Sequence, residues 1–189
     1  MQHGVHTNVM SKMDDAFEQE LALHRQSKAV ERSNAGKVLR KFAKQLAPEF
    51  SRKGTFFSRE RGHLIQFLHV HKFSFGPCFR VHACLRVLND STSRLVLNGI
   101  SSDDDAHYRM SIEYGSDEAS LSKCADEMTA YVSRIAKPWF LAQTYSALLG
   151  ANSALYPDQR LALSAALRGD SDESRVALSR SLLAARTNR

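Results

Sequence analysis

Two stretches, His63–Phe73 and Cys78–Leu88, constrain this 189-residue chain more than any other part of it. Each alternates apolar and polar residues with the period of a β-strand, and the polar turn Ser74-Phe75-Gly76-Pro77 separates them. Leu64, Leu68 and Val70 are apolar at even numbers, whereas Phe79, Val81, Ala83, Leu85 and Val87 are apolar at odd numbers. One shared apolar face therefore requires paired residues whose numbers sum to an odd value. A four-residue loop pairs Phe73 with Cys78, which sets that sum at 151. His69 then faces His82, His71 faces Arg80, Phe67 faces Cys84 and Ile65 faces Arg86. A slip of two residues changes these partners but keeps the faces.

One face of this hairpin is a hydrophobic wall. The other displays His69, His71, Arg80, His82, Cys84 and Arg86, with four of the eight histidines inside residues 63–82. Three uses of that face are open. His69 and His82, with His71 or Cys84, have the ligand types of a zinc site. Yet the patch brings no carboxylate to orient the imidazoles and sets guanidinium groups beside them, so no metal or cofactor is expected. A basic, histidine-bearing sheet flanked by Phe67, Phe73 and Phe75 can also stack bases and contact phosphates. The plainest use is a solvated face or one covered by a partner. The candidate binding residues are His69, His71, Arg80, His82 and Arg86.

Charge sharpens the question. The chain holds 26 Lys and Arg against 20 Asp and Glu, net +6. Residues 37–100 carry 12 basic and 3 acidic side chains, net +9, and residues 101–140 carry 4 and 8, net −4. The two segments either steer an anionic partner or neutralise each other within the fold.

Around the hairpin the pattern is α+β. Residues 1–13 read as a flexible tail, and Asp14 or Asp15 can cap a helix running toward Arg32. Val38, Leu39, Phe42, Ala43 and Leu46 mark a second helix that Pro48 stops. Thr55–Arg59 reads as a short strand with a turn at Arg61-Gly62. Arg94–Leu97 follows a polar break, and Ser101–Asp105 reads as an exposed acidic loop. Tyr108, Met110, Ile112 and Tyr114 alternate as a further strand. Asp117 introduces a helix with Leu121, Ala125, Met128, Val132 and Ile135 on one stripe, closed by Pro138. Residues 141–189 form an all-helical extension, with helices at Phe140–Leu149 and Pro157–Leu167 and a last one capped by Ser171. The expected fold is an antiparallel β-sheet packed on one face by helices, with an N-terminal helix and a C-terminal helical hairpin. Residues 14–140 form the α+β domain.

Sequence motifs exclude several activities. Cys78, Cys84 and Cys124 make no C-x-x-C pair and no disulfide framework, which fits a reducing compartment. Gly36-Lys37 lacks the upstream glycine and the following Ser or Thr of a P-loop. No G-x-S-x-G occurs, and Asp103–Asp105 lacks EF-hand spacing. No run reaches the ~18 apolar residues of a membrane span, and no secretory leader is expected, so the location read from the sequence is cytoplasmic.

Glu49-Phe50-Ser51-Arg52-Lys53-Gly54-Thr55-Phe56-Phe57-Ser58-Arg59, followed by Leu64–Ser74, resembles the bacterial domain of unknown function 4304 family. The resemblance covers about residues 36–140, with the helix at 116–140 and its Pro-Trp-Phe ending as the closing element. It implies a helix leading into an antiparallel sheet and a bacterial origin, and it brings no catalytic residues. The tail at 141–189 lies outside it and looks like one hairpin of tetratricopeptide character. The reading that follows is a non-catalytic module that binds another bacterial protein, of immunity or accessory type. Its basic charge argues against a nuclease as the target. Nucleic acid held on the His/Arg face is the alternative, and no membrane partner is expected.

Overall fold

The structure is a computed structural model that describes residues 6–104 and 111–184, with the side chains of 18–104 and 111–183. Helix α1 (His6–Leu46) is continuous, so it begins inside the stretch expected as a tail and joins the two expected helices into one. The reason lies at Ser33–Gly36. Asn34 and Ala35 are buried, so packing holds the helix through Gly36 although glycine disfavours it locally. Val38, Phe42 and Leu46 are buried as their spacing demands, and the backbone turns after Leu46, before Pro48.

The strands are β1 (Ser51–Lys53), β2 (Phe56–Arg61), β3 (Leu64–Lys72), β4 (Cys78–Val87), β5 (Ile100–Ser101) and β6 (Ile112–Glu113). They form one sheet in the order β1-β2-β3-β4-β5, with β6 also paired to β4. All pairings are antiparallel. The β3–β4 register pairs His69 with His82, His71 with Arg80, Phe67 with Cys84 and Ile65 with Arg86, the partners that the sum of 151 requires. The Phe73 N–H donates to the Cys78 carbonyl at 3.2 Å across the turn. At Gly62 a positive φ of 57° closes the β2–β3 turn, a conformation that glycine adopts freely.

Apolar side chains of one sheet face meet two helices. Leu68, Val70, Phe79, Val81 and Leu85 pack with Val38 and Phe42 of α1. Across the same core lie Leu121, Cys124, Met128 and Tyr131 of α2 (Glu118–Tyr131). Asp117 caps α2 by accepting from the Ser120 N–H at 2.9 Å. Pro138 does not close this helix. The chain passes through a π-turn, Val132–Ala136, into α3 (Lys137–Ala142), with Pro138 in the first turn of α3. The widened turn makes room for a ring that would strike an ordinary α-helical carbonyl. The expected helix at Phe140–Leu149 is broken in two. Thr144 caps α4 (Tyr145–Leu149) by accepting from the Ala147 N–H.

α5 (Pro157–Leu167) matches its sequence boundaries. α6 (Glu173–Ala184) is capped by Asp172 rather than Ser171, because the Asp172 carboxylate accepts from the N–H groups of Ser174 and Arg175. Leu148, Leu155 and Leu163 enter the same core as the sheet, so this extension contributes to the buried cluster of the α+β part. The Arg94–Leu97 stretch has no regular structure, and Tyr108 and Met110 lie outside the described residues. Among the described residues no helix is long and apolar enough to cross a membrane.

Candidate functional site

The second sheet face divides at the middle of the hairpin. Toward the Val87 end, Ile65, Phe67, Cys84 and Leu88 form a small cluster with Leu183 and Val176 of α6 and with Leu95. Arg86 sits among them with 1% of its surface exposed. Its guanidinium donates to Ser179 Oγ at 2.9 Å and to the carbonyls of Arg94 at 3.1 Å, Asp90 at 3.1 Å and Thr92 at 2.7 Å. The buried Asp90 carboxylate lies 3.5 Å from it and accepts from Gln159 Nε2 at 3.2 Å. Arg86 was expected on the binding face. Instead it ties the 89–99 loop and α6 to the sheet, and a partner cannot reach it.

Toward the hairpin tip the other candidates stand together. The cross-strand pairings set Lys53, Phe56, His69, His82 and Ser101 in one row, with His71 and Arg80 in the next. Phe56, His69 and His82 stack, with centroids 4.6 Å and 5.9 Å apart and interplanar angles of 20° and 17°. His71 lies edge-on to both His69 and Phe73. Phe75 leans on Phe73 at 4.7 Å and is 79% exposed. The Arg80 guanidinium rides over the Phe73 ring at 4.8 Å and forms an ion pair with Asp103. His69, His82 and Arg80 are half-buried and His71 is exposed.

Asp103 belongs to the run expected as a solvated loop. Part of that run is ordered instead. After β5 a 3-10 turn, Ser102–Asp104, places Ser102 in the interior, where its hydroxyl accepts from the Val81 N–H at 3.1 Å. Farther along the same β4 edge, Asn98 Oδ1 accepts from the Leu85 N–H at 3.0 Å. Gly99 makes this approach possible, since a Cβ there would lie 1.9 Å from the Ala83 carbonyl oxygen.

Electrostatics follow from these contacts. Burial, with the Arg80 guanidinium and His71, holds His82 below the usual imidazole range against the opposite pull of Asp103 and Asp104. Burial pushes the thiols of Cys84 and Cys124 up to about 12 and raises Cys78, so each is a poor thiolate nucleophile. Part of the +9 segment is answered by acids from outside it: Lys41 pairs with Glu118, Lys72 with Glu31, and Arg80 with Asp103. Lys53 makes no ion pair among the described residues.

Sequence reasoning brought His69, His71, Arg80 and His82 to one patch and flanked it with Phe73 and Phe75. It missed Phe56 and Lys53, which join through the β1–β2 and β2–β3 registers, and Asp103, which arrives from the far side of β4. Among the described residues no three His, Cys, Asp or Glu side chains are grouped so as to hold a metal ion. Comparison of the chain with family models, with curated proteins and with solved structures finds no match.

Proposed function

We propose that this protein is a non-catalytic module of the bacterial cytoplasm that binds another bacterial protein through the hairpin-tip half of its second sheet face. The observation that carries the reading is the ring cluster in which Phe75 and His71 are exposed, His69 and His82 are half-buried and Phe73 is buried beneath Phe75. Aromatic side chains on a pre-formed sheet give contact area at little ordering cost, as protein interfaces favour. Pairing of Arg80 with Asp103 and burial of Arg86 remove from this face the two guanidinium groups that would have drawn phosphates. Kinship with the bacterial domain of unknown function 4304 family, suggested by Glu49–Arg59 and Leu64–Ser74, is part of this proposal and agrees with a binding rather than a catalytic role.

The test is affinity capture with purified chain as bait, run beside Phe75→Ser. Recovery of one stoichiometric protein by the wild-type chain, lost with the variant, is the expected result. Equal recovery by both chains would place the contact elsewhere. Recovery of nucleic acid, with affinity falling by a log–log slope near −0.9 per neutralised phosphate, would replace the reading by the alternative.

A further inference from the structure

We infer that the outer part of α1 is a dimerisation arm, which pairs antiparallel with the same segment of a second copy of this chain. The inference does not depend on the binding role proposed above.

The body of the protein holds only the inner part of α1. The first anchor is Glu31, whose carboxylate accepts from the Lys72 ammonium and whose carbonyl accepts from the Tyr114 hydroxyl. Asn34, Ala35, Val38 and Phe42 are buried beyond it. Ahead of Glu31 the helix runs from His6 to Val30, about 37 Å at ~1.5 Å per residue. Every side chain from Glu18 to Val30 is exposed except the half-buried Leu21. None of them makes a hydrogen bond or ion pair to the described residues of the body. Helices in proteins draw most of their stability from packing one face, and this arm has no such packing within its own chain.

Charge identifies the partner. Positions 14, 18, 21, 25, 28 and 32 follow the alternating four- and three-residue spacing of one helix face, and they read Asp, Glu, Leu, Arg, Lys, Arg. The outer end of this seam is acidic and the inner end basic, with Leu21 between them. Two such seams laid antiparallel about residue 23 pair positions whose numbers sum to 46. Asp14 then meets Arg32, Glu18 meets Lys28 and Leu21 meets the stem of Arg25, and two-fold symmetry makes each pair twice. A parallel arrangement would set acid on acid and base on base. Glu18, Arg25, Lys28 and Arg32 are exposed and open to such pairing. Lys28 lies 3.7 Å from Glu31, but that carboxylate is already held by Lys72. Leu23 and Val30, also exposed, stand seven residues apart on the opposite side of the helix and bring no complementary charge.

The test is the mass of the full chain in solution, by sedimentation equilibrium at low salt. The wild-type chain should be a dimer of its 21.2 kDa unit. Glu18→Lys and Lys28→Glu, each alone, set like charges against each other twice and should weaken the dimer about tenfold. A 1:1 mixture of the two variants, and a single chain carrying both changes, restore opposite charges in both pairs and should dimerise again. Added salt screens these exposed pairs and should weaken the wild-type dimer. A wild-type chain that stays monomeric, or a dimer indifferent to the single variants, would overturn the pairing. Failure of the double exchange to restore the dimer would overturn the antiparallel register.

Discussion

The two halves of one sheet face have the same alternation in sequence and opposite fates in the fold. Residues 80, 82, 84 and 86 point the same way from β4. Arg86 is sealed under α6 and the 89–99 loop, whereas Arg80 and His82 remain part of an accessible ring surface. The difference is one of partners. Arg86 meets a hydroxyl, three carbonyls and a buried carboxylate, enough acceptors to hold a guanidinium away from water. The hairpin-tip half meets mainly rings and one carboxylate. A guanidinium on this sheet face is thus sealed where the chain itself brings enough acceptors.

The contrast breaks most visibly at Arg86. Arg86→Met leaves the Asp90 carboxylate buried without its guanidinium, and we expect a loss of about 3–5 kcal/mol in urea unfolding. A loss under about 1 kcal/mol would show that the sealed half does not depend on this residue. Ser179→Ala removes one link of the same network and should cost about 1–2 kcal/mol, with faster amide exchange in α6 than in α2. Uniform exchange in both helices would argue against a locally held α6.

His82 sharpens the comparison through pH. Its folded-state pKa lies below its unfolded value of about 6.5, so the unfolded chain binds more protons as the medium acidifies. Its contribution to stability is thus lost as pH falls from about 7 through the folded pKa. His82→Gln should flatten the drop in melting temperature over that window, and an unchanged drop would place the cause elsewhere. The smallest expected effect is at Phe75. Phe75→Ser should change stability by no more than about 0.5 kcal/mol, because the side chain is exposed.

How far these halves could be told apart from sequence follows from where the information lies. The β3–β4 register was legible because both strands carry their own apolar parity and a short turn joins them. His69, His71, Arg80 and His82 came together on that basis alone. Arg86 could not be separated from them, since the residue that covers it, Ser179, is 93 positions away and marks no periodicity. Phe56 and Lys53 required the β1 and β2 pairings, and nothing in Ser51–Lys53 alternates strongly enough to set those. The fate of Pro138 was hidden for a similar reason. Proline announces a stop, and only the preceding π-turn lets the chain continue. The unbroken α1 likewise depends on the burial of Asn34 and Ala35, a tertiary fact that local propensity at Gly36 contradicts.

We propose that binding resides in the hairpin-tip half of the face, and Arg86 with its partners holds the other half together. The most direct measurement is the affinity of the captured partner for wild-type and Phe75→Ser chains of matched stability. We expect at least a tenfold weaker complex at an unchanged urea midpoint. Equal affinity for the two chains would contradict it.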